Sequence, residues 1–320
     1  MRRKSFAKTF ALLGFIALGL AALYLFGGLG ARENWGYNIS RRADILVAIS
    51  IVAGSVGVSS IIFQTITSNR ILTPGIMGLD NLYLFTQTII IYFFSSDGSE
   101  MISGGLDFFL TLILMLALSL GLYLYIFKAN SGDIFFVVLT GLVFGIAFGG
   151  LSSFMQVIID PSEFSILEGR MFASFNKINL PMMGVSGLIV LLAFLWLSSD
   201  FDKFDALTLG RNMAISLGVE YDKVVLKSLA AVSLFTCAST VLVGPVTFLG
   251  IIIASITRFI FPTYKHSVLL WGSILVGIIA LVFGMLATER VLQFSVPLSV
   301  IINFVGGIYF IYLVLKVKRV

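Results

Sequence analysis

The sequence predicts an all-α polytopic membrane protein of about ten transmembrane helices, folded as a single domain over 1–320. Three observations predict it. Of the 320 residues 58% are hydrophobic and 12% charged, whereas a water-soluble domain carries about 25% charged residues. The apolar residues fall into long runs, many of them near the roughly 20 residues that a spanning helix needs. The basic residues cluster on alternate sides of those runs, which sets an orientation.

The runs follow in order. The first, 8–29, comes after the basic start MRRKSFA. It looks like a signal sequence but is about 20 residues long without an A-x-A site, so it reads as a retained span. The second, 44–67, carries Ser50, Gly54, Gly57 and Ser60 along one side. A short run, 79–95, precedes 106–127 and then 134–158. In the last of these Gly141, Gly145 and Gly149 recur every fourth residue. Such small-residue strips let helix backbones approach closely; the alternative is that they line a transport pathway. Next come 181–198, 226–243 and 249–262, the latter two separated because Gly244 and Pro245 interrupt the helix. The runs 267–287 and 298–315 complete the set.

An even number of spans places both termini on one side. With the N-terminus cytoplasmic, 15 of the 21 Lys and Arg fall in inner segments and six in outer ones. The positive-inside bias therefore selects cytoplasmic termini and accounts for the net charge of +5 without nucleic acid. No acidic residue is expected in the middle of a span: Asp44, Asp80, Asp107 and Asp133 fall at span starts. A self-sufficient secondary transporter usually needs such a group. The chain also lacks a P-loop, since no lysine follows a glycine. Its one cysteine, Cys237, and one histidine, His266, cannot build a metal cluster. No metal, cofactor or catalytic group is expected, and His266 is expected at the cytoplasmic surface.

One polar stretch, LTLGRNMAISLGVEYDK from Leu207 to Lys223, interrupts the apolar pattern on the inner side. It reads as a helix over about 205–218, capped by Asp205 and ended by Gly218. Leu209, Met213 and Leu217 form an apolar stripe beside Ala206, Gly210 and Ala214. A helix this short is marginal alone in water and must pack against something.

Four motifs then stand in order: QTITSNRILTPGIMG at 64–78, LGRNMAISLG at 209–218, GPVTFLG at 244–250 and FSVPLSVIINFVGGIYFIYLV at 294–314. In this order the chain resembles the FecCD family, permeases of ATP-driven importers for iron–siderophores, haem and cobalamin. Gln64, Asn69, Pro74 and Gly78 match the first family motif, with Arg70 in place of its usual Pro. The second matches L-G-x-x-x-A-x-x-L-G throughout. The Pro-His that usually follows the third is missing, and Ser295 and Ser299 replace a Glu and a Gly in the fourth. Together with MQVIIDPSEF and GRMFASFN, these departures resemble the ferric catecholate-type siderophore branch.

The resemblance implies a non-enzymatic transport subunit of a bacterial cytoplasmic membrane. Its implied partners are ATPase subunits, a second permease (a paralogue, with a homodimer as the alternative), an extracytoplasmic siderophore-binding protein, the ferric siderophore and membrane lipid. It also implies roles. Asn69 and Ile71 stand at an inner gate. Leu209, Gly210, Arg211, Met213, Ala214, Leu217 and Gly218 form an ATPase-coupling helix. Arg41, Arg42 and Arg290 meet the binding protein's carboxylates, or else anchor the spans in lipid headgroups. The alternatives are a permease for haem or another metal chelate, a secondary transporter, or a polytopic membrane enzyme, which would need clustered His, Asp or Glu.

Overall fold

The computed structural model describes residues 2–27, 35–94, 105–129, 133–176 and 178–317. Arg32, Lys177, Lys318, Arg319, Asp97 and Glu100, which enter the charge argument, lie outside the described residues. In chain order the helices are α1 (Arg2–Phe26), α2 (Trp35–Ile66), α3 (Asp80–Phe94), α4 (Gly105–Ala129), α5 (Ile134–Ile158), α6 (Pro161–Met171) and α7 (Leu180–Ser198). They continue as α8 (Phe201–Leu207), α9 (Arg211–Ser216), α10 (Tyr221–Val243), α11 (Leu249–Ile260), α12 (His266–Arg290) and α13 (Leu298–Val317). A single π-helical turn, Gly75–Leu79, leads into α3.

Among the described residues nine helices are long and apolar enough to cross a membrane. The tenth expected span is α11, only 12 residues, or about 18 Å at 1.5 Å per residue. That is roughly half a hydrocarbon core. Gly244 at φ 99° ends α10, and the non-helical 244–248 carries the chain inward before α11 begins. Such unwound backbone is tolerated at membrane depth only when enclosed by protein. Val246 and Leu249 are indeed buried.

α2, α10 and α12 form the centre. α2 packs along α12 and α10, and α10 also meets α4 and α7. Ala48, Ile49, Val52, Ala53, Val232 and Phe235 are fully enclosed there. Apolar residues on α1, α5, α7 and α13, such as Phe15, Ile146, Leu195 and Phe304, face outward, as lipid-facing surfaces do.

Contacts also fix the sides. Phe6 and Phe10 near the start of α1 pack against the Phe261 ring, five residues before α12. At the other ends of these helices Arg290 reaches the Leu23 carbonyl. α13 starts with Leu298 against Gly284 of α12 and passes Phe248 and Ile252 at Gly306, so it runs back toward the Phe261 side. α1 therefore begins, and α13 ends, on the face that carries α8 and α9, the inner face of the charge argument. α6, with Pro161 in its first turn, is an outer helix that the sequence reading left as loop.

Candidate functional site

The inner end of α2 is built by its last turn. Ser68 has φ 50°, in the left-handed region. Its N–H donates to the Thr65 carbonyl, and the Asn69 N–H donates to the Gln64 carbonyl. This is the paired bonding of a Schellman ending, normally closed by glycine. A serine in this conformation costs about 1–2 kcal/mol, so the surrounding contacts hold it. Asn69 then follows outside the helix, and its Oδ1 accepts the Ile71 N–H at 3.0 Å, the local turn that Asn favours. Asn69 is exposed and Ile71 half-buried.

The polar stretch 205–218 is two short helices rather than one. Gly210 sits at φ 90°, ψ 165°, a region almost closed to residues with a Cβ, and it breaks α8 from α9. Asp205 is consequently no N-cap; it lies inside α8. Its Oδ1 accepts the backbone N–H of His266 at 2.7 Å and faces His266 Nδ1 at 2.8 Å. His266 is fully buried, which corrects the surface placement expected from sequence. The reason is that α8 folds under α12 and α2 and brings a carboxylate to the ring.

α9 ends as expected, with Gly218 at φ 81° and the Val219 N–H on the Ala214 carbonyl. Ala214 is fully buried, whereas Leu209, Met213 and Leu217 are each about 60% exposed. Ile215, at 51%, joins them. Arg211 lies against Asp222 at 3.4 Å and over the Tyr221 ring. Of the small-residue strip only Ala214 is an inward anchor, Ala206 and Gly210 being half-buried, and the large apolar side chains form an exposed cytoplasmic patch. Beneath it Asp200 receives Lys203 and Lys227. Burial pushes its carboxyl pKa up, but the two lysine hydrogen bonds outweigh burial and hold it below the ordinary carboxylate value.

The glycine repeat of α5 receives the turn before α3. Gly78 has φ 98°, and a Cβ there would stand 2.5 Å from the Gly145 Cα. A Cβ on Gly145 would stand 2.6 Å from the Gly78 Cα, and one on Gly141 2.7 Å from the Met77 side chain. Asn81 lies against Gly149 and donates from Nδ2 to the Gly145 carbonyl at 2.9 Å. Beside this crossing Asp80 is buried, with Thr247 donating to its Oδ2. It stands at the start of α3, as expected, but in the protein interior. It joins the two interrupted motifs, TPGIMG and GPVTFLG, around a small cavity lined by Ser59, Ser60, Thr73 and Thr236.

On the outer side α2 begins nine residues before the predicted span, so Arg41 and Arg42 lie within a helix. Arg42 is committed internally. It donates to the Tyr24 and Gly27 carbonyls at 2.7 and 2.6 Å, pairs with Glu289 at 2.5 Å and covers the Tyr24 ring. Arg41 and Arg290 are exposed, with hydrogen bonds to the Asn176 and Leu23 carbonyls at 3.4 and 3.3 Å, and the Arg290 guanidinium also lies against Gly27. An outer cavity of about 280 Å³ opens between α3, α4, α6 and α10. In its wall Arg170 donates to Gln87 and Asp107 at 2.5 and 2.7 Å. Sequence reading missed this cluster because its members come from three separate helices. Among the described residues no group of His, Cys, Asp and Glu could hold a metal ion.

Comparison with known proteins places this architecture. The model of the FecCD transport family matches residues 10–316. The petrobactin import system permease protein YclO of Bacillus subtilis is 47% identical over 97% of both chains. The petrobactin import system permease protein FatC of Bacillus anthracis is 29% identical over 87% of this chain and 78% of its own. A solved inward-facing conformation of a metal-chelate type ABC transporter superposes with a TM-score of 0.83 at 20% identity, covering 97% of this chain and 99% of that one. At that identity it shows the shared fold. With nine helices among the described residues long and apolar enough to cross a membrane, a shortened tenth, an apolar cytoplasmic knob and a family match over residues 10–316, this chain is an integral membrane protein of the FecCD transport family.

Proposed function

We propose that the protein is the membrane-spanning permease subunit of an ATP-driven importer for an iron–siderophore complex of the petrobactin class, in a bacterial cell membrane. The observation that carries this is the 47% identity to a petrobactin import permease along 97% of both chains. The chain itself hydrolyses nothing: separate ATPase subunits dock on Leu209, Met213, Ile215 and Leu217, exposed on the inner face. Large apolar side chains on a short helix suit a hydrophobic groove on a partner. An extracytoplasmic binding protein delivers the ferric chelate to the outer face, where exposed Arg41 and Arg290 meet its carboxylates. Such charges steer encounter and register more than they add affinity. A second permease, a paralogue of this chain, completes the pathway, and Asn69 and Ile71 form the inner constriction. Iron stays within its chelate throughout, so no protein ligand for it is needed.

The test is uptake. Cells or proteoliposomes carrying this permease, its ATPase and its binding protein take up iron-55 petrobactin, and depleting ATP while the membrane gradient is held stops uptake. Uptake that follows the gradient without ATP would refute the reading.

A further inference from the structure

His266 is the single histidine of the chain, it is fully buried, and both ring nitrogens are engaged by different helices. Nδ1 stands 2.8 Å from Asp205 Oδ1 on α8, and the same oxygen accepts the His266 backbone N–H at 2.7 Å. An ionised carboxylate only accepts, so Nδ1 donates and the ring orientation is set. Nε2 then faces Thr65 Oγ1 on α2 at 2.8 Å. The Phe204 ring of α8 packs beside it, with centroids 5.7 Å apart. α8 thus grips α12 and α2 through one rigid five-membered ring.

Thr65 is no ordinary helix residue. Its carbonyl holds the Ser68 N–H in the left-handed turn, and the neighbouring Gln64 carbonyl holds Asn69. A displacement of Thr65 therefore moves the turn that presents Asn69 and Ile71. At the other end of the chain of contacts, α8 packs on α9, whose Met213 and Leu217 are exposed to the cytoplasm. α9 itself packs on α8 and α10, and a hydrogen-bonded route from α8 to α2 runs through Asp205 and His266.

We propose that His266 is a positioning residue that ties the turn at 65–71 to α8, so that force on the α8–α9 knob is delivered to the inner end of α2. The tie itself is a property of the permease; its use in coupling ATP hydrolysis to import rests on the reading above. Packing alone would resist such a force diffusely. A ring locked by hydrogen bonds at both edges has one favoured position, so it transmits displacement between helices rather than absorbing it.

Thr65→Val tests this, because it removes the hydroxyl at constant shape while Thr65→Ser restores it. In the purified permease, hydrogen exchange of the amides at 68–71 rises about threefold to tenfold in Thr65→Val, which loses the hydroxyl's contacts to His266 Nε2 and to the Ile61 carbonyl, and stays at the parent level in Thr65→Ser. Asp205→Ala, which removes the acceptor from the other edge and leaves the Thr65–Ile61 contact in place, gives the same local rise, which assigns the rise to the ring rather than to Ile61. In the reconstituted transporter Thr65→Val hydrolyses ATP near the parent rate but uses about fivefold or more ATP per chelate imported, the size of a typical coupling free energy. Unchanged exchange at 68–71 overturns the tie. An unchanged ratio, or hydrolysis and import falling together, overturns its coupling role. A parent complex that neither imports chelate nor hydrolyses ATP refutes the importer reading instead, and the exchange measurement still decides the tie.

Discussion

Arg42 and Glu289 form an ion pair at 2.5 Å that clamps the outer end of α2 to that of α12. Both side chains are largely enclosed, at 16% and 20% exposure. The carbonyls of Tyr24 and Gly27 take the other guanidinium nitrogen, so three helices share one side chain.

Arg42→Ala therefore loses stability rather than docking. Losing hydrogen bonds to a charged group costs about 1.5–3 kcal/mol, read as a lower melting temperature of the purified permease. Arg41→Glu with Arg290→Glu does the reverse. It leaves melting near the parent value and weakens binding-protein association, and the parent's association weakens with salt. Equal association of parent and double variant would make these two arginines lipid anchors.

Gly145 and Gly78 touch backbone to backbone, with no room for a Cβ on either. Gly145→Ala forces α5 off the turn before α3, an overpacking cost of about 1–3 kcal/mol. Gly121→Ala, where nothing lies within 4 Å of the new carbon inside α4, is the control and leaves melting at or slightly above the parent value, since Ala costs less backbone entropy in a helix.

Met213→Glu places a charge in the exposed patch without touching the buried side of α9. Expression and melting stay at the parent level, while co-purification of the ATPase subunit falls at least about tenfold, the order of one interface hot spot. Ala214→Trp is unsuited to this test, because Ala214 is fully buried and the variant unfolds the segment. A Met213→Glu permease that retains its ATPase would remove the patch from the interface.

Asp200 sets an acid limit on the cytoplasmic face. Its pKa lies lower folded than unfolded, because Lys203 and Lys227 overcome the opposing effect of burial. Its contribution is thus fully present above the unfolded value, about 3.9, and is lost as pH falls below that through the folded value. Acid titration of melting in the parent against Asp200→Asn checks this. The two curves converge as the pH falls, and parallel curves would mean that the carboxylate contributes nothing through its charge.

What the sequence by itself determined is the bilayer architecture. Hydropathy is a sum over neighbouring residues, so the spans, their sides and the interruption at Gly244–Pro245 are legible locally. So was the left-handed Gly218, whereas the exposure of Leu209, Met213 and Leu217 was not, because an apolar stripe alone does not say which surface covers it. The half-length of α11 was less so, because a run of apolar residues does not say how deep in the membrane it starts. Only the tertiary structure decided what the few polar side chains do. His266 meets Asp205 across 61 positions and Thr65 across 201, and Arg42 meets Glu289 across 247. No local pattern encodes such partners. Inside a membrane protein a polar group must find whichever complement the helix packing brings to it, since burying it unpaired is costly. The same packing turned Asp80 inward to Thr247 and Ala214 under its own helix, and it left Leu209, Met213 and Leu217 exposed.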